Sequence, residues 1–165
     1  MAYSTVPKTK RDGKITLQDG GAVTLEVAYE DGNLSYEQPT AQSSLPIFDR
    51  GTLSAVRKQD DQFITFTFSA NMRQFTDAAA GSINDFVRQV GFYNGNASAG
   101  TGTPYIEQYV INVQFEVEGT DLGDLVDSSA TFSKCECTSV SFSEGDPNSF
   151  SLSFTCYGGV TFAAA

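Results

Sequence analysis

Apolar and polar residues alternate along several stretches of the chain, and this period of two is typical of β-strands with one buried and one solvated face. The longest such stretch covers residues 105–119. Its apolar row consists of Tyr109, Ile111, Val113, Phe115 and Val117, and its polar row of Gln108, Asn112, Gln114, Glu116 and Glu118. The pattern therefore predicts an antiparallel sheet whose solvated face carries amides and carboxylates.

Shorter alternating runs predict further strands, and polar turns separate them. The segments are 14–17, 22–29, 51–58, 62–70, 131–142 and 149–162, with a short extended piece at 34–37. The last two strands form a hairpin in the stretch "VSFSEGDPNSFSLSF", where a charged turn at 144–148 lies between serine-rich and aromatic runs. The total is about seven or eight strands.

One segment changes from strand spacing to helical spacing. Ser82 fits an N-cap, Asp85 stands at the third helical position, and Gly91 fits the end of the helix. The apolar positions that recur at helical spacing are Ile83, Phe86, Val87 and Val90. We expect one short amphipathic α-helix at about residues 82–90.

Two segments lack either period. Residues 1–13 are polar and predict an N-terminal arm, and residues 38–50 predict a long loop. Leu45, Ile47 and Phe48 make this loop more apolar than a solvated loop needs to be. The loop either folds back over the core of its own chain or is buried against another subunit.

These elements predict a single mainly β domain over residues 1–165. The expected fold class is a β-sandwich or partial barrel of about seven or eight mostly antiparallel strands, with one short α-helix. A chain of 165 residues is long enough to bury a substantial core.

Charge and composition narrow the range of functions. The formal net charge is −10, which disfavours binding to nucleic acid or to anionic membranes. The sequence has no histidine, so triads and zinc sites that need one are excluded. No P-loop, dinucleotide-binding or hydrolase motif is present, and we expect no enzyme activity, no cofactor and no metal. Without an apolar leader or membrane-length segment, we expect synthesis in the cytoplasm.

The three cysteines, Cys135, Cys137 and Cys156, are expected to be free thiols. If Phe142 and Phe150 share the core face, strand alternation places Cys156 on that face as well. Cys135 and Cys137 are then expected on the opposite face, unless a bulge shifts the register.

The arrangement resembles the tail tube proteins (major tail proteins) of tailed bacteriophages. The segments that carry the resemblance are "GKITLQDGGAVTLEVAYEDGNLSY", "GSINDFVRQVG" for the helix, "YVINVQFEVEG", and the hairpin "SFSEGDPNSFSLSFTCYGG". The fold of that family is also similar to type VI secretion tubes, to inner tubes of contractile tails and to tail terminators.

The resemblance implies a structural subunit whose copies form stacked, usually hexameric, rings. The expected partners are further copies of the chain and other tail components, and DNA passes through the lumen without specific binding. The expected location is the tail of a virion assembled in the host cytoplasm. The lumen-facing row would be Gln108, Asn112, Gln114, Glu116 and Glu118, and the inter-subunit contacts would be Leu45, Ile47 and Phe48. The alternatives are a monomeric module that binds carbohydrate or a receptor, and a terminator or secretion-tube protein.

Overall fold

The computed structural model describes residues 13–27, 32–39, 44–58, 62–76, 81–100, 108–119 and 126–164. These residues form ten β-strands, one α-helix and one short 3-10 helix at Gly91–Tyr93. The first five strands are β1 (Gly13–Gln18), β2 (Thr24–Val27), β3 (Gly32–Glu37), β4 (Ser44–Asp49) and β5 (Thr52–Lys58). The helix α1 (Ile83–Arg88) follows β6 (Ile64–Asn71) and precedes β7 (Val110–Val117), β8 (Ser128–Ser143), β9 (Ser149–Cys156) and β10 (Val160–Ala164).

Eight of the strands form one antiparallel sheet in the order β2-β1-β7-β8-β9-β6-β3, and β10 pairs with β8 beside this path. The strands β4 and β5 form a separate two-stranded hairpin. The predicted mainly β fold class with one short helix is therefore confirmed.

The number of strands exceeds the predicted seven or eight for two reasons. Residues 38–50 were expected to be a loop, but Ser44–Asp49 is a strand, so this expectation was wrong. The single strand expected at 149–162 is divided by a turn after Cys156, and its second part pairs with β8 on its own. The predicted arm at 1–13 lies outside the described residues except for Gly13, which begins β1.

The core lies against the apolar face of the large sheet. Three buried rings are central to it: the Phe66 ring centroid lies 4.7 Å from that of Phe132 and 4.9 Å from that of Phe154. Strand β6 shows why the sequence folds this way, because Ile64, Phe66 and Phe68 are buried while the threonines between them are exposed. Burying each such side chain contributes about 1.5–3 kcal/mol.

The helix closes the core at one side. The Ser82 hydroxyl accepts a hydrogen bond from the backbone N–H of Asp85 at 3.1 Å, which confirms the predicted N-cap. Phe86 and Val87 are buried, whereas Val90 is 41% exposed. The helix ends at Arg88, because Gln89 adopts a left-handed conformation (φ 54°) before Gly91 is reached.

The cysteine placement differs from the sequence-based expectation. Between Cys137 and Ser139 the register of β8 against β9 shifts, so four residues of β8 lie opposite three of β9 between the Cys137–Phe154 and Phe142–Phe150 pairs. This bulge returns the preceding cysteines to the core face. Cys135 is consequently the register partner of Cys156, and both side chains are buried. The expectation that they lie on opposite faces was wrong, and all three cysteines are free thiols.

Candidate interaction surfaces

The face of the large sheet opposite to the core is polar over five neighbouring strands, and we call it the polar face. Strand register aligns one row of side chains across it, from β2 through β1, β7 and β8 to β10. The members of this row are Glu26, Thr16, Gln114, Thr131 and Thr161. A row of this kind holds water along its length, because each side chain offers a donor or an acceptor.

Three members of the predicted polar row, Asn112, Gln114 and Glu116, lie on this face in strand β7, and Gln108 and Glu118 lie just outside the strand. Asn112, Gln114, Glu116 and Glu118 are half-buried, and Gln108 is exposed. Glu116 forms an ion pair with Lys14 of β1, with 3.6 Å between Oε1 and Nζ. The Asn112 Oδ1 atom accepts a hydrogen bond from the backbone N–H of Lys134 at 3.1 Å, where β8 bulges. Neighbouring strands therefore hold two members of the row in fixed orientations.

The polar face continues across the second half of the sheet. Strand register there aligns hydroxyl and amide side chains from β3 through β6 and β9 to β8. One such row is Asn33, Ser69, Ser151 and Ser141. Strand β8 contributes Thr131 to the first row and Ser141 to the second. The hydroxyls beside the β8–β9 hairpin and the row on β7 thus belong to the same face of one sheet.

The hairpin β4–β5 carries an exposed apolar surface, which we call the hairpin apolar face. Register pairs Pro46 with Val56 and Phe48 with Leu53, on either side of a register shift. Alternation therefore places these four residues on one face. Phe48 is 62%, Leu53 54% and Val56 59% exposed. An isolated two-stranded hairpin with such a face is marginal in water unless something covers it.

The predicted contact residues divide between the two faces of this hairpin. Phe48 lies on the hairpin apolar face, while Leu45 and Ile47 alternate to the other side. Sequence reasoning did not include Leu53 and Val56 among the contacts, because it did not predict the strand β4 with which β5 pairs, nor the bulge that sets Leu53 opposite Phe48.

A second exposed apolar surface lies near the β8–β9 hairpin. The Phe75 and Phe142 rings are 52% and 44% exposed, and their centroids lie 5.0 Å apart. Both rings contact buried Phe150, at centroid distances of 5.8 Å from Phe75 and 6.0 Å from Phe142. A cavity of about 340 Å³ opens beside Phe150 and is also lined by Leu25, Val27 and Ile83.

Two of the three thiols are poor candidates for chemistry, whereas hydrogen bonding to the Cys135 thiol lowers the pKa of Cys156. A hydrogen bond to the Cys156 sulfur, together with burial, raises the pKa of Cys135. Burial also raises the pKa of Cys137 to about 11 from its ordinary value of 9.0. A thiol whose pKa is raised stays protonated at neutral pH and is a weak nucleophile.

The described residues offer no group of three or more His, Cys, Asp or Glu side chains that could hold a metal ion. Over the same part of the chain, none of the helices has the length and apolarity needed to cross a membrane.

Three solved structures share the fold over nearly the whole chain. A chain of the sheath–tube complex of an extracellular contractile injection system (PVC) in the extended state matches with a TM-score of 0.58 and 10% identity, covering 99% of this chain and 100% of that chain. The sheath/tube terminator of the same kind of system matches with a TM-score of 0.58 and 11% identity, covering 98% of this chain and 100% of the other.

The third structure is the tube-terminating cap of the anti-feeding prophage. It matches with a TM-score of 0.57 and 9% identity, covering all of this chain and 96% of that chain. No protein-family model matches the sequence, and no curated protein matches it. The chain therefore has the fold of tube, terminator and cap proteins, at a sequence identity that establishes the fold alone.

Proposed function

We propose that this chain is a structural subunit of a tail-type tube, whose copies assemble into stacked six-membered rings around a conduit. The observation that carries the proposal is the continuous polar face on a sheet whose main path of described strands ends at β2 and β3. Joining such ends between neighbouring copies closes the sheet into a barrel and removes its unpaired edges. The similarity to solved tube, terminator and cap structures over 96% or more of each chain supports this role.

In the proposed ring the polar face lines the lumen. The lumen-facing residues on and beside β7 are Gln108, Asn112, Gln114, Glu116 and Glu118. Amides and hydroxyls keep such a wall wetted, and the carboxylates repel the phosphates of DNA that passes through it. This repulsion is screened beyond about 8 Å at physiological salt, so it acts on DNA close to the wall. The basic residue Arg57 lies on the separate hairpin and not on this face.

The hairpin β4–β5 is the proposed contact between copies. Leu45, Ile47 and Phe48 are the residues assigned to that contact from the sequence, and Leu53 and Val56 extend it on the hairpin apolar face. Covering one of these side chains contributes about 1.5–3 kcal/mol, so several together supply enough free energy to join subunits.

The proposed partners are further copies of the chain and other tail components, and the proposed location is the tail of an assembled particle. DNA is the expected cargo and passes without specific binding, because the net charge of the chain is −10.

A second candidate function is that of a terminator, which caps a tube with a single ring. The terminator and cap structures favour it, because their TM-scores of 0.58 and 0.57 equal or nearly equal that of the sheath–tube complex. A monomeric module that binds carbohydrate or a receptor is the alternative outside this class.

Negative-stain electron microscopy and sedimentation of the concentrated, purified chain test these functions against one another. A tube subunit gives stacked rings or tubes, and a terminator gives single rings that do not stack. A protein that stays monomeric over the whole concentration range, and that does not polymerise on tail particles, contradicts the proposal.

A further inference from the structure

The aromatic surface near the β8–β9 hairpin combines apolar area with acidic charge. Phe75 and Phe142 provide two exposed rings in contact with each other. Glu144 and Asp146 lie in the turn that follows β8 and are exposed. We call these four residues the acceptor surface. The segment at residues 72–76, which adjoins this turn, also contains the exposed basic residue Arg73. The surface and this segment together therefore have two acidic residues and one basic residue.

A backbone hydrogen bond and strand pairing hold residues 71 and 72 against this turn. The Met72 N–H donates a hydrogen bond to the carbonyl oxygen of Asn148 at 2.7 Å, and Asn71 is the register partner of Ser149. Phe75 and the acidic turn therefore form one surface, although about 70 residues separate them in the sequence. The cavity beside Phe150 continues this surface toward β2.

The hairpin β4–β5 has the complementary properties. Residues 44–58 contain three basic residues and one acidic residue, giving a formal charge of +2 (3 − 1) on a chain whose net charge is −10. Arg50 stands at the hairpin turn, next to the hairpin apolar face, and both Arg50 and Phe48 are exposed. Basic charge beside an apolar ring matches acidic charge beside apolar rings.

Within one chain these two surfaces do not cover each other. Phe48 is 62% exposed, and Phe75 and Phe142 also remain exposed in the same structure. Among the described residues both surfaces stay uncovered, and each has the composition that the other requires.

We propose that the acceptor surface receives the β4–β5 hairpin of a second copy of this chain. Phe48 of the incoming hairpin packs against the Phe75 and Phe142 rings, and Arg50 pairs with Glu144 and Asp146. Because donor and acceptor are different surfaces, the contact is head-to-tail and repeats from copy to copy. This inference rests on the proposed function and identifies which surface of the neighbour the hairpin contacts.

Charge reversal and its rescue test the pairing. The acceptor variant Glu144→Arg/Asp146→Arg and the donor variant Arg50→Glu are each expected to raise the concentration needed for polymerisation about tenfold, since like charges then face each other across the contact. Combining all three substitutions in one chain restores opposite charges at every contact. The combined variant is expected to polymerise near the concentration of the unmodified chain, as measured by sedimentation and electron microscopy.

Two controls separate this pairing from general effects of charge. Arg88→Glu reverses an exposed charge in the last turn of α1, an element assigned to no contact between copies, and is expected to leave polymerisation unchanged. Phe75→Ser removes an exposed ring without altering charge and is expected to weaken polymerisation. Circular dichroism of each monomer verifies that the fold is retained.

The outcomes distinguish failure of this inference from failure of the proposed function. If the unmodified chain forms no rings or tubes, the proposed function fails, and the inference fails with it. If the unmodified chain polymerises and the charge reversals polymerise equally well, the tube role stands and the acceptor surface is wrong. If both reversals weaken polymerisation but their combination does not restore it, the pairing of Arg50 with Glu144 and Asp146 is wrong.

Discussion

The half-buried thiol of Cys137 makes the stability of the molecule sensitive to alkaline pH. Burial raises the pKa of Cys137 to about 11, compared with 9.0 for the ordinary thiol. The folded state therefore holds this proton more tightly than the unfolded state does. The resulting stabilisation is fully present below pH 9 and is lost as the pH rises toward 11.

The variant Cys137→Ala lacks this titration and is the direct comparison. Because the side chain is only partly buried, we expect the unmodified chain to lose on the order of 1 kcal/mol more unfolding free energy than the variant as the pH rises over this range. Urea unfolding of both proteins at a series of pH values measures the difference. If the unfolding free energies of the two proteins fall equally as the pH rises, burial does not raise the pKa of Cys137.

The buried carboxylate of Asp19 illustrates a residue whose role cannot be deduced from local sequence. Its Oδ1 accepts hydrogen bonds from the backbone N–H groups of Gly21 and Val23. These bonds are predictable, because an acidic residue before two glycines is typical of a turn that its side chain stabilises. Its Oδ2 also accepts one from Ala97 at 3.2 Å, and that residue lies 78 positions further along the chain. The sequence has no signal for this second contact.

At the scale of elements, the hairpin β4–β5 is the contact between copies that we propose. We expect Phe48→Ser/Val56→Ser to leave a folded monomer and to weaken polymerisation strongly, because two side chains of the hairpin apolar face lose about 1.5–3 kcal/mol of burial each. Sedimentation of the variant at matched concentrations measures the effect.

Two matched substitutions serve as controls for that result. Leu45→Ser alters the opposite face of the same hairpin and reports whether that face also takes part. Val90→Ser alters an exposed apolar residue after α1, in a segment assigned to no contact between copies, and is expected to have no effect. If the double variant forms tubes normally, the hairpin apolar face is not a contact between copies. If it unfolds, the hairpin stabilises its own chain instead.

The elements show which parts of the fold are predictable from sequence. Strand β7 and helix α1 lie inside the segments predicted for them, because a regular period runs through β7 and an N-cap precedes the helix; residues 105–107 of the predicted strand lie outside the described residues. Strand β4 was missed, because Pro46 and the adjacent apolar residues Ile47 and Phe48 hide its alternation. Cys135 was placed on the wrong face because a one-residue bulge reverses every side chain that precedes it. Bulges depend on the partner strand and leave little trace in the local sequence.

At the scale of the whole molecule, the acidic charge and the polar face of the sheet follow from the sequence. The way in which copies of the chain assemble does not. The net charge of −10 and the alternation in β7 are properties of the sequence itself. The alignment of Glu26, Thr16 and Gln114 across three strands requires the topology. The assignment of the polar face to a lumen depends further on assembly, and it stays a prediction.

Charge on the proposed lumen wall gives a functional test. In assembled particles, Glu116→Lys combined with Glu118→Lys is expected to slow the release of DNA, because positive charge along the wall binds phosphates. The neutral pair Glu116→Gln/Glu118→Gln removes the same carboxylates and controls for loss of the ion pair between Glu116 and Lys14. Release at an unchanged rate from the lysine variant would mean that these residues do not line the path of the DNA.

The most direct test of the central claim is the orientation of the polar face in an assembled ring, determined by cryo-electron microscopy of the polymerised protein. The account predicts that Gln114 and Glu116 point toward the ring axis, together with the hydroxyls of β6 and β9, and that β2 and β3 of neighbouring copies complete one closed barrel. A ring in which Gln114 and Glu116 lie on the outer surface would contradict the account, whatever the number of subunits.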